Sequence, residues 1–244
     1  MTTEAETGRQ SLTGDCASAF LLLSRIPVTW HRFRDDQPPD FISSLWAFPL
    51  VGLVIGAAGG GVLAAGQALA LPTFAIAILS LATMIFLSGA MHEDGLAEMA
   101  DGFGGGRDTE AKIRIMHDSR IGTYGVLGLT LTVAIRIGLY MTCLGIFSGW
   151  ELVLFMAVLQ AAGRFQPVVQ LAAFRVSPHA SLAQLTGRPG AARLAVAAVI
   201  CLLPMIWLLG PVVSASMIIP ALALAIWTGQ RATRHVEGLS LIHI

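Results

Sequence analysis

Residues 48–69 read FPLVGLVIGAAGGGVLAAGQAL and contain no charged side chain. A helix needs about 20 apolar residues to cross a bilayer, so this stretch predicts a membrane span. It lies within a run of 51 residues, 41–91, that has no Asp, Glu, Lys, Arg or His. A second such run of 37 residues occupies 194–230. Each run is long enough for two spans joined by a tight turn, so we expect a polytopic membrane protein.

We predict an all-α fold: a single integral membrane domain over 1–244, built as a helical bundle with about six spans and a cytoplasmic acidic loop. The expected spans are Ser43–Leu69, Pro72–Met91, Gly122–Phe147, Trp150–Phe174, Leu194–Leu209 and Val212–Gln230. Gly210 and Pro211 are expected to form the last turn. Residues 1–40 should stay at the interface or under the bundle, because Ala19–Val28 is too short to cross and contains Arg25.

The charged residues are few and unevenly placed. They make up 12% of the chain, against roughly 25% in soluble proteins, which disfavours an ordinary soluble enzyme. The 15 basic and 15 acidic residues balance, so the chain lacks the excess of basic residues that a nucleic-acid-binding protein uses to neutralise phosphates. Thirteen of the basic residues fall in segments that six spans place on one side. The positive-inside rule makes that side, with both ends and the 92–120 loop, the cytoplasmic side of the cell's inner membrane.

The two remaining basic residues, Arg136 and Arg164, lie within predicted spans. A charged side chain is costly in lipid, so both should face the bundle interior or a water-filled cavity. We expect Arg136 to pair with Glu151. For Arg164, contact with an anionic substrate and a structural pairing both stay open.

The loop after the second span begins HEDGLAEMADG at residues 92–102. Taken as a helix that continues the span, it places Asp94, Glu98 and Asp101 on one face, at spacings i, i+4 and i+7. Such a face is either solvated or bridged by a cation. Hard oxygen ligands suit Mg²⁺, which takes carboxylates together with substrate phosphates. Asp118 is positioned along the chain to complete this predicted metal site.

Glycine has two expected roles. The turn 102–107, GFGGGR, follows the carboxylates and would let backbone N–H groups approach a phosphate. Ser119, Arg120 and Thr123 are further candidates to hold phosphate oxygens. Within the first span, Gly52, Gly56 and Gly60 form overlapping G-x-x-x-G patterns, which predict close packing of helices.

The central loop resembles that of the cobalamin synthase family, the adenosylcobinamide-GDP ribazoletransferases. The family signature reads approximately H-x-D-G-L-A-D-x-A-D-G and then I-M-x-D-S-R-I-G-T-x-G. Here the corresponding residues are 92–102, HEDGLAEMADG, and 115–125, IMHDSRIGTYG. Residues 24–28, SRIPV, and 48–52, FPLVG, are similar to weaker family stretches. The resemblance extends in order and hydropathy over about residues 20–230.

The resemblance implies a reaction and a set of roles. Adenosylcobinamide-GDP and α-ribazole, or its 5′-phosphate, would give adenosylcobalamin, or its phosphate, plus GMP. Mg²⁺ would be the cofactor, and the lipid bilayer the surroundings; a homo-oligomer is left open. The implied metal ligands are Asp94, Glu98, Asp101 and Asp118. The implied catalytic residues are Asp94, Asp101, His92 and Asp118, and the implied phosphate-binding residues are Arg25, Arg114, Ser119, Arg120, Thr123 and Arg164.

The chain departs from the family pattern at two places. Glu98 stands where the family usually has Asp, which keeps the charge but lengthens the arm. Residues 239–244, LSLIHI, replace an expected acidic motif and a further apolar helix, so we expect a truncated or non-native tail. Two other functions remain as alternatives. A CDP-alcohol phosphotransferase would need D-G-x2-A-R and later spaced Asp residues, and a transporter would place its charges near mid-membrane.

Overall fold

A computed structural model describes residues 11–33, 39–176, 187–236 and 238. Within that part of the chain the fold is all-α, without a β-strand, as expected. The helices are α1 (Leu12–Leu23), α2 (Phe41–Ser44), a 3₁₀ turn (Leu45–Ala47), α3 (Phe48–Ala68), α4 (Thr73–Ser88), α5 (Met91–Gly105), α6 (Thr109–Met116), α7 (Thr123–Ile146), α8 (Trp150–Ala173) and α9 (Ala191–Val236). The expected tail, 239–244, lies outside the described residues.

The centre of the bundle is an antiparallel pair, α3 and α8, whose backbones approach closely. A Cβ atom added at Gly60 would lie 2.6 Å from the carbonyl oxygen of Leu152. Added Cβ atoms at Gly52 and Gly56 would likewise collide with backbone atoms of α8. The predicted role of the G-x-x-x-G pattern in helix packing is therefore confirmed. The contact fixes α8 against the middle of the bundle and buries its inward face.

The helix α4 packs beside α3, and Ser80 Oγ donates a hydrogen bond of 2.8 Å to the carbonyl of Gly59. The chain then turns sharply. Gly89 and Ala90 both have positive φ, and the axis of α5 is bent by 89° from that of α4. The expectation that the acidic helix simply continues the second span is therefore wrong. Two consecutive left-handed residues end the α4 hydrogen-bond pattern and redirect the chain.

After the bend, α5 packs antiparallel along α7. Glu93, near the start of α5, reaches Arg136 in the middle of α7. Asp101, near its end, binds the first turn of α7. The acidic helix is thus held at both ends by one span, which fixes the position of its carboxylates.

The number of spans is close to the expected six. By length and composition, four described helices are able to cross a membrane, or up to five if α4 and α5 count together. One of the four, α9, has 46 residues, about 69 Å of helix, which is twice the apolar thickness of a bilayer. It is interrupted at Gly210, where φ is 76° and ψ is 163°.

The contacts of α9 show that its two halves run in opposite directions. Arg193, near its beginning, donates from Nη2 to Ser43 Oγ just before α3. Thr228, near its end, binds Gln170 close to the end of α8. Since α3 begins on the face where α8 ends, both ends of α9 lie on that face. The expected turn at Gly210 and Pro211 is therefore present, and α9 counts as two crossings.

The helix α1 has 12 residues, too few to cross the bilayer, and packs against α2 and α3. The described part of the N-terminal segment therefore packs against the bundle, and its position relative to the bilayer stays a prediction. The helix α1, the start of α3, the end of α8 and both ends of α9 gather around one face of the molecule, which we call the polar face.

Candidate active site

A pocket of about 500 Å³ opens beside the acidic helix α5. Its volume lies within the range of small-molecule sites. Its walls come from the bend after α4, from α5, from the segment after α6 and from α7. The lining residues are Gly89, Ala90, Glu93, Asp94, Ala97, Glu98, Asp101, Ile115, Asp118, Ser119, Arg120, Ile121 and Leu129. The structure therefore brings residues of both central motifs, 92–102 and 115–125, to one cavity.

Asp94 and Glu98 present their carboxylates on the same face of α5, as their spacing predicts. Asp94 is exposed, whereas Glu98 is half-buried. Burial and the negative charge of Asp94 both raise the pKa of the Glu98 carboxyl above its ordinary value. A cation between the two carboxylates would relieve that repulsion. Among the predicted metal ligands, these two have no hydrogen-bond partner recorded among the described residues.

Asp101 shares the pocket but its carboxylate is already engaged. Its Oδ2 accepts a hydrogen bond of 2.7 Å from the Gly122 backbone N–H, and its Oδ1 accepts one of 2.8 Å from Gly125. Asp101 is only 8% exposed. An acceptor at the first turn of a helix satisfies donors that the helix itself leaves unpaired, and a negative charge there is favourable. Asp101 thus caps α7 and ties it to the acidic helix.

The contact with Asp101 explains why the second motif, residues 115–125, has glycine at positions 122 and 125. A Cβ atom at Gly122 would lie 2.5 Å from Asp101 Oδ1, and one at Gly125 would collide with the other carboxylate oxygen. Only glycine allows this close approach of the backbone. The I-G-T-Y-G stretch therefore receives Asp101 of the first motif, and the two motifs form a single structural unit.

Asp118 and Arg120 form an ion pair at the mouth of the pocket. Arg120 Nη2 lies 2.9 Å from Asp118 Oδ2, and the Arg120 backbone N–H donates to Oδ1 at 3.0 Å. Hydrogen bonds from Arg120 lower the pKa of the Asp118 carboxyl. The guanidinium side chain is 87% exposed, so most of it is available to an anion. Ser119 lies between them and also lines the pocket.

The remaining predicted site residues lie outside the pocket lining. Arg25 is the nearest: its backbone N–H donates to the Leu87 carbonyl, and its side chain packs on Gly89. Arg114 is exposed on α6, and Thr123 is exposed at the start of α7. His92 is at the start of α5, and its buried Nε2 has no hydrogen-bond partner among the residues that the structure describes.

Both arginines within the spans have partners inside the bundle. Arg136 Nη1 lies 2.6 Å from Glu93 Oε1. The expected pairing of Arg136 with Glu151 is wrong; Glu151 instead accepts a bond from the Ser148 backbone N–H at 3.4 Å. The acidic helix enters the bundle and so supplies a nearer acid. Arg164 is 7% exposed and donates from Nη1 to Gln160, which favours the structural alternative for this residue.

The carboxylates of the pocket can be compared with the ligands that a divalent cation requires. Among the described residues, no three His, Cys, Asp or Glu side chains gather closely enough to hold a metal ion. Asp101 and Asp118 have their oxygens in use, which leaves Asp94 and Glu98. Mg²⁺ is commonly held by one or two carboxylates plus substrate phosphates and water. Two free carboxylates beside an exposed arginine fit that chemistry, whereas a four-carboxylate site stays a prediction.

The fold and the pocket define a multi-pass membrane protein with an acidic site at one end of its helical bundle. Comparison with known families gives a more particular assignment. The family model described as Cobalamin-5-phosphate synthase matches residues 15–240, which is most of the chain. The chain therefore belongs to that family, and the resemblance of its two central motifs is confirmed.

Curated relatives carry one name, adenosylcobinamide-GDP ribazoletransferase. The protein of Azorhizobium caulinodans is 43% identical over 129 residues, 52% of this chain and 49% of the relative. That of Xanthobacter autotrophicus is 43% identical over 127 residues, 50% of this chain and 47% of the relative. That of Brucella ovis is 32% identical over 183 residues, 74% of this chain and 69% of the relative. The chain thus spans about half the length of the first two relatives. No solved structure matches it.

Proposed function

We propose that this chain joins adenosylcobinamide-GDP to α-ribazole, or to α-ribazole 5′-phosphate, and releases GMP. The product would be adenosylcobalamin or its 5′-phosphate. The proposal is carried by the pocket in which the acidic helix and the Asp118–Arg120 segment meet, because a diphosphate substrate requires both cation-binding carboxylates and an anion-binding arginine. The name shared by the relatives supports the choice of substrates.

The reaction exchanges one P–O bond for another. The ribazole hydroxyl oxygen attacks the phosphorus nearer to cobinamide, and the bond from that phosphorus to GMP breaks. The hydroxyl proton leaves to a carboxylate of the pocket, and the leaving GMP keeps the bridging oxygen. Catalysis of such a transfer depends on positioning and on neutralising charge at the phosphate oxygens.

Different residues of the pocket would perform the metal binding, the phosphate binding and the positioning. Asp94 and Glu98 would hold Mg²⁺, which when bound supplies positive charge to the diphosphate. Arg120 and Ser119 would donate hydrogen bonds to phosphate oxygens, and Arg25 lies next to Gly89 to add a second cation. Asp101 would keep α5 and α7 in register so that these groups stay convergent. Arg114, Thr123 and His92 would act outside the described pocket or in a changed conformation.

We also propose that the polar face is cytoplasmic and that the membrane is the inner membrane. The basic residues of the sequence concentrate on that face, as the positive-inside rule requires of a cytoplasmic side. The substrates would then enter from the cytoplasm. The two alternative functions have no support in the comparisons: the family model is described as Cobalamin-5-phosphate synthase, and the relatives are named adenosylcobinamide-GDP ribazoletransferase.

Product analysis tests the proposal. The protein reconstituted in lipid would receive adenosylcobinamide-GDP, α-ribazole and Mg²⁺, and GMP and the corrinoid product would be separated and quantified. We expect GMP and cobalamin in equal amounts, and neither product when α-ribazole is left out. Release of GMP without α-ribazole would indicate a hydrolase, and release of CMP from a CDP-alcohol substrate would indicate the rival transferase.

A further inference from the structure

A second pocket on the polar face shares no residue with the acidic pocket. It has a volume of about 690 Å³ and lies between α1, the α2 and 3₁₀ segment that precedes α3, and the start of α9. Asp15 of α1, Trp46 before α3 and Arg193 of α9 contribute a carboxylate, an indole ring and a guanidinium group to its lining. No step of the proposed reaction uses these three residues, so their role is separate from the bond exchange itself.

The Asp15 carboxylate has an unfilled hydrogen-bonding requirement. Asp15 is 7% exposed, and its Oδ2 accepts a hydrogen bond of 2.8 Å from the indole N–H of Trp46. Its other oxygen, Oδ1, is buried and has no hydrogen-bond partner within the described part of the chain. A buried acceptor without a donor is costly, and the cost is greater for a charged group. The missing partner is a hydrogen-bond donor, and Asp15 lines the pocket that a ligand carrying such a donor would enter.

We propose that this pocket binds the guanine base of the nucleoside diphosphate part of the substrate. Guanine carries two adjacent donors, N1–H and the 2-amino group, which a single carboxylate accepts. Adenine lacks that pair, and the benzimidazole of α-ribazole has no N–H donor at all. Trp46 offers an aromatic wall, and base–aromatic stacking adds binding energy for any base. The carboxylate thus supplies the selectivity; this inference rests on the proposed function for its choice of nucleotide.

Arg193 adds a second polar contact of the right kind. Its Nη2 donates to Ser43 Oγ at 2.9 Å, which holds the side chain at the wall of the pocket. An arginine has five N–H donors in a planar fork, so several stay available to a ligand. Guanine O6 is an acceptor, as are the ribose and phosphate oxygens. The pocket therefore offers acceptors to the donor edge of guanine and donors to its acceptor atoms.

The placement of the two pockets suits the two ends of one nucleotide. The helix α1 leads from Asp15 to Leu23, and Arg25 follows directly, with its side chain packed on Gly89 of the acidic pocket. Eight helical steps at about 1.5 Å and two extended steps at about 3.3 Å give a separation of at most about 19 Å along this path. That is the scale of an extended nucleoside diphosphate. A base near Asp15 would direct its phosphates past Arg25 toward Asp94 and Glu98.

Competition binding tests the inference without any turnover. The full chain in lipid would bind a fluorescent GDP analogue, and GDP, IDP and ADP would compete for it. We expect IDP, which lacks the 2-amino group, and ADP to compete at least about tenfold more weakly than GDP. Asp15→Asn should lose that preference, with GDP affinity falling about tenfold or more while ADP affinity is unchanged. The unchanged ADP affinity also shows that the variant is folded.

The control variant is Asp94→Asn in the acidic pocket. It should weaken all three nucleotides by the same factor and leave the ratio of GDP to ADP as in the wild type. Equal competition by ADP and GDP, or a full GDP preference in Asp15→Asn, would overturn the inference. If cobalamin forms normally while Asp15→Asn keeps its GDP preference, the inference fails and the proposed function stands. If the GDP preference depends on Asp15 but no cobalamin forms, the inference stands and the proposed function fails.

Discussion

Arg136 Nη1 lies 2.6 Å from Glu93 Oε1, and this ion pair joins the middle of α7 to the start of the acidic helix. The side chains are 25% and 16% exposed. In the described residues, Glu93 has a second carboxylate oxygen that is buried without a partner. The pair thus sits inside a bundle poor in charge, where each member depends on the other for neutralisation.

Removing one member of this pair should destabilise the protein strongly. Arg136→Ala leaves the partly buried Glu93 without its ion-pair partner, and the expected loss in free energy of unfolding is about 1–3 kcal/mol. Denaturation by SDS in mixed micelles measures it. The double variant Glu93→Gln with Arg136→Gln should lose less than Arg136→Ala, since no charge is left unpaired. Arg107→Ala, at an exposed arginine, is the control, and a loss of the same size there would contradict the account.

Substitution of Asp101 should lower the stability of the protein even when no metal is bound. Asp101→Ala removes both acceptors for Gly122 and Gly125, and helix caps of this kind contribute about 0.5–2 kcal/mol. We expect a lower thermal midpoint for the metal-free protein. Asp101→Asn keeps one acceptor oxygen and should lose less. A purely metal-binding Asp101 would leave the metal-free midpoint unchanged in both variants, and that result would exclude the capping role.

Removing the charge of Glu98, in contrast to Asp101, should stabilise the metal-free protein. Its pKa is raised by burial and by Asp94, so the protonated form favours the folded state. The stabilisation associated with protonation is present below the ordinary glutamate pKa and is lost as pH rises through the raised pKa. At neutral pH, Glu98→Gln should therefore raise the thermal midpoint of the metal-free protein. Mg²⁺ should stabilise the wild type more than this variant, and an equal shift in both would contradict metal binding at Glu98.

The packing of α3 on α8 offers a matched pair of glycine variants. Gly56→Ala places a methyl group against the backbone of Met156 and Ala157, which cannot yield as a flexible side chain can. Gly61→Ala, on the same helix, meets nothing within 4 Å. Alanine favours a helix by about 1 kcal/mol over glycine, so Gly61→Ala should be neutral or stabilising. Gly56→Ala should lower stability, and equal midpoints for the two variants would contradict the close contact.

The sequence predicted most of the bundle because lipid leaves few structural options. Apolar length placed α7 and α8 to within a residue or so, and the Gly210–Pro211 turn was visible as a break in an otherwise apolar run. The direction of α5 was not predictable. It depends on the positive φ values of Gly89 and Ala90, and alanine gives no local signal for that conformation.

The sequence predicted which residues belong to the site, but it predicted fewer of the contacts that those residues make. Helical spacing placed Asp94 and Glu98 on one face, because that periodicity is local. The partners of Asp101 and Arg136 are distant in sequence, so they follow only from the bend that lays α5 along α7. Glu93 was overlooked for the same reason. The glycines at 122 and 125 were a visible signal, since a backbone that must receive a carboxylate cannot carry a Cβ atom.

The most direct test of the central claim compares carboxylates inside and outside the acidic pocket. Cobalamin and GMP formation would be measured for Asp94→Asn, Glu98→Gln and the control Glu110→Gln, an exposed acid on α6. We expect a loss of about 100-fold or more in both pocket variants, as for removal of a charge-stabilising group, and full activity in the control. EDTA should abolish the wild-type reaction. Full turnover in both pocket variants would contradict the account.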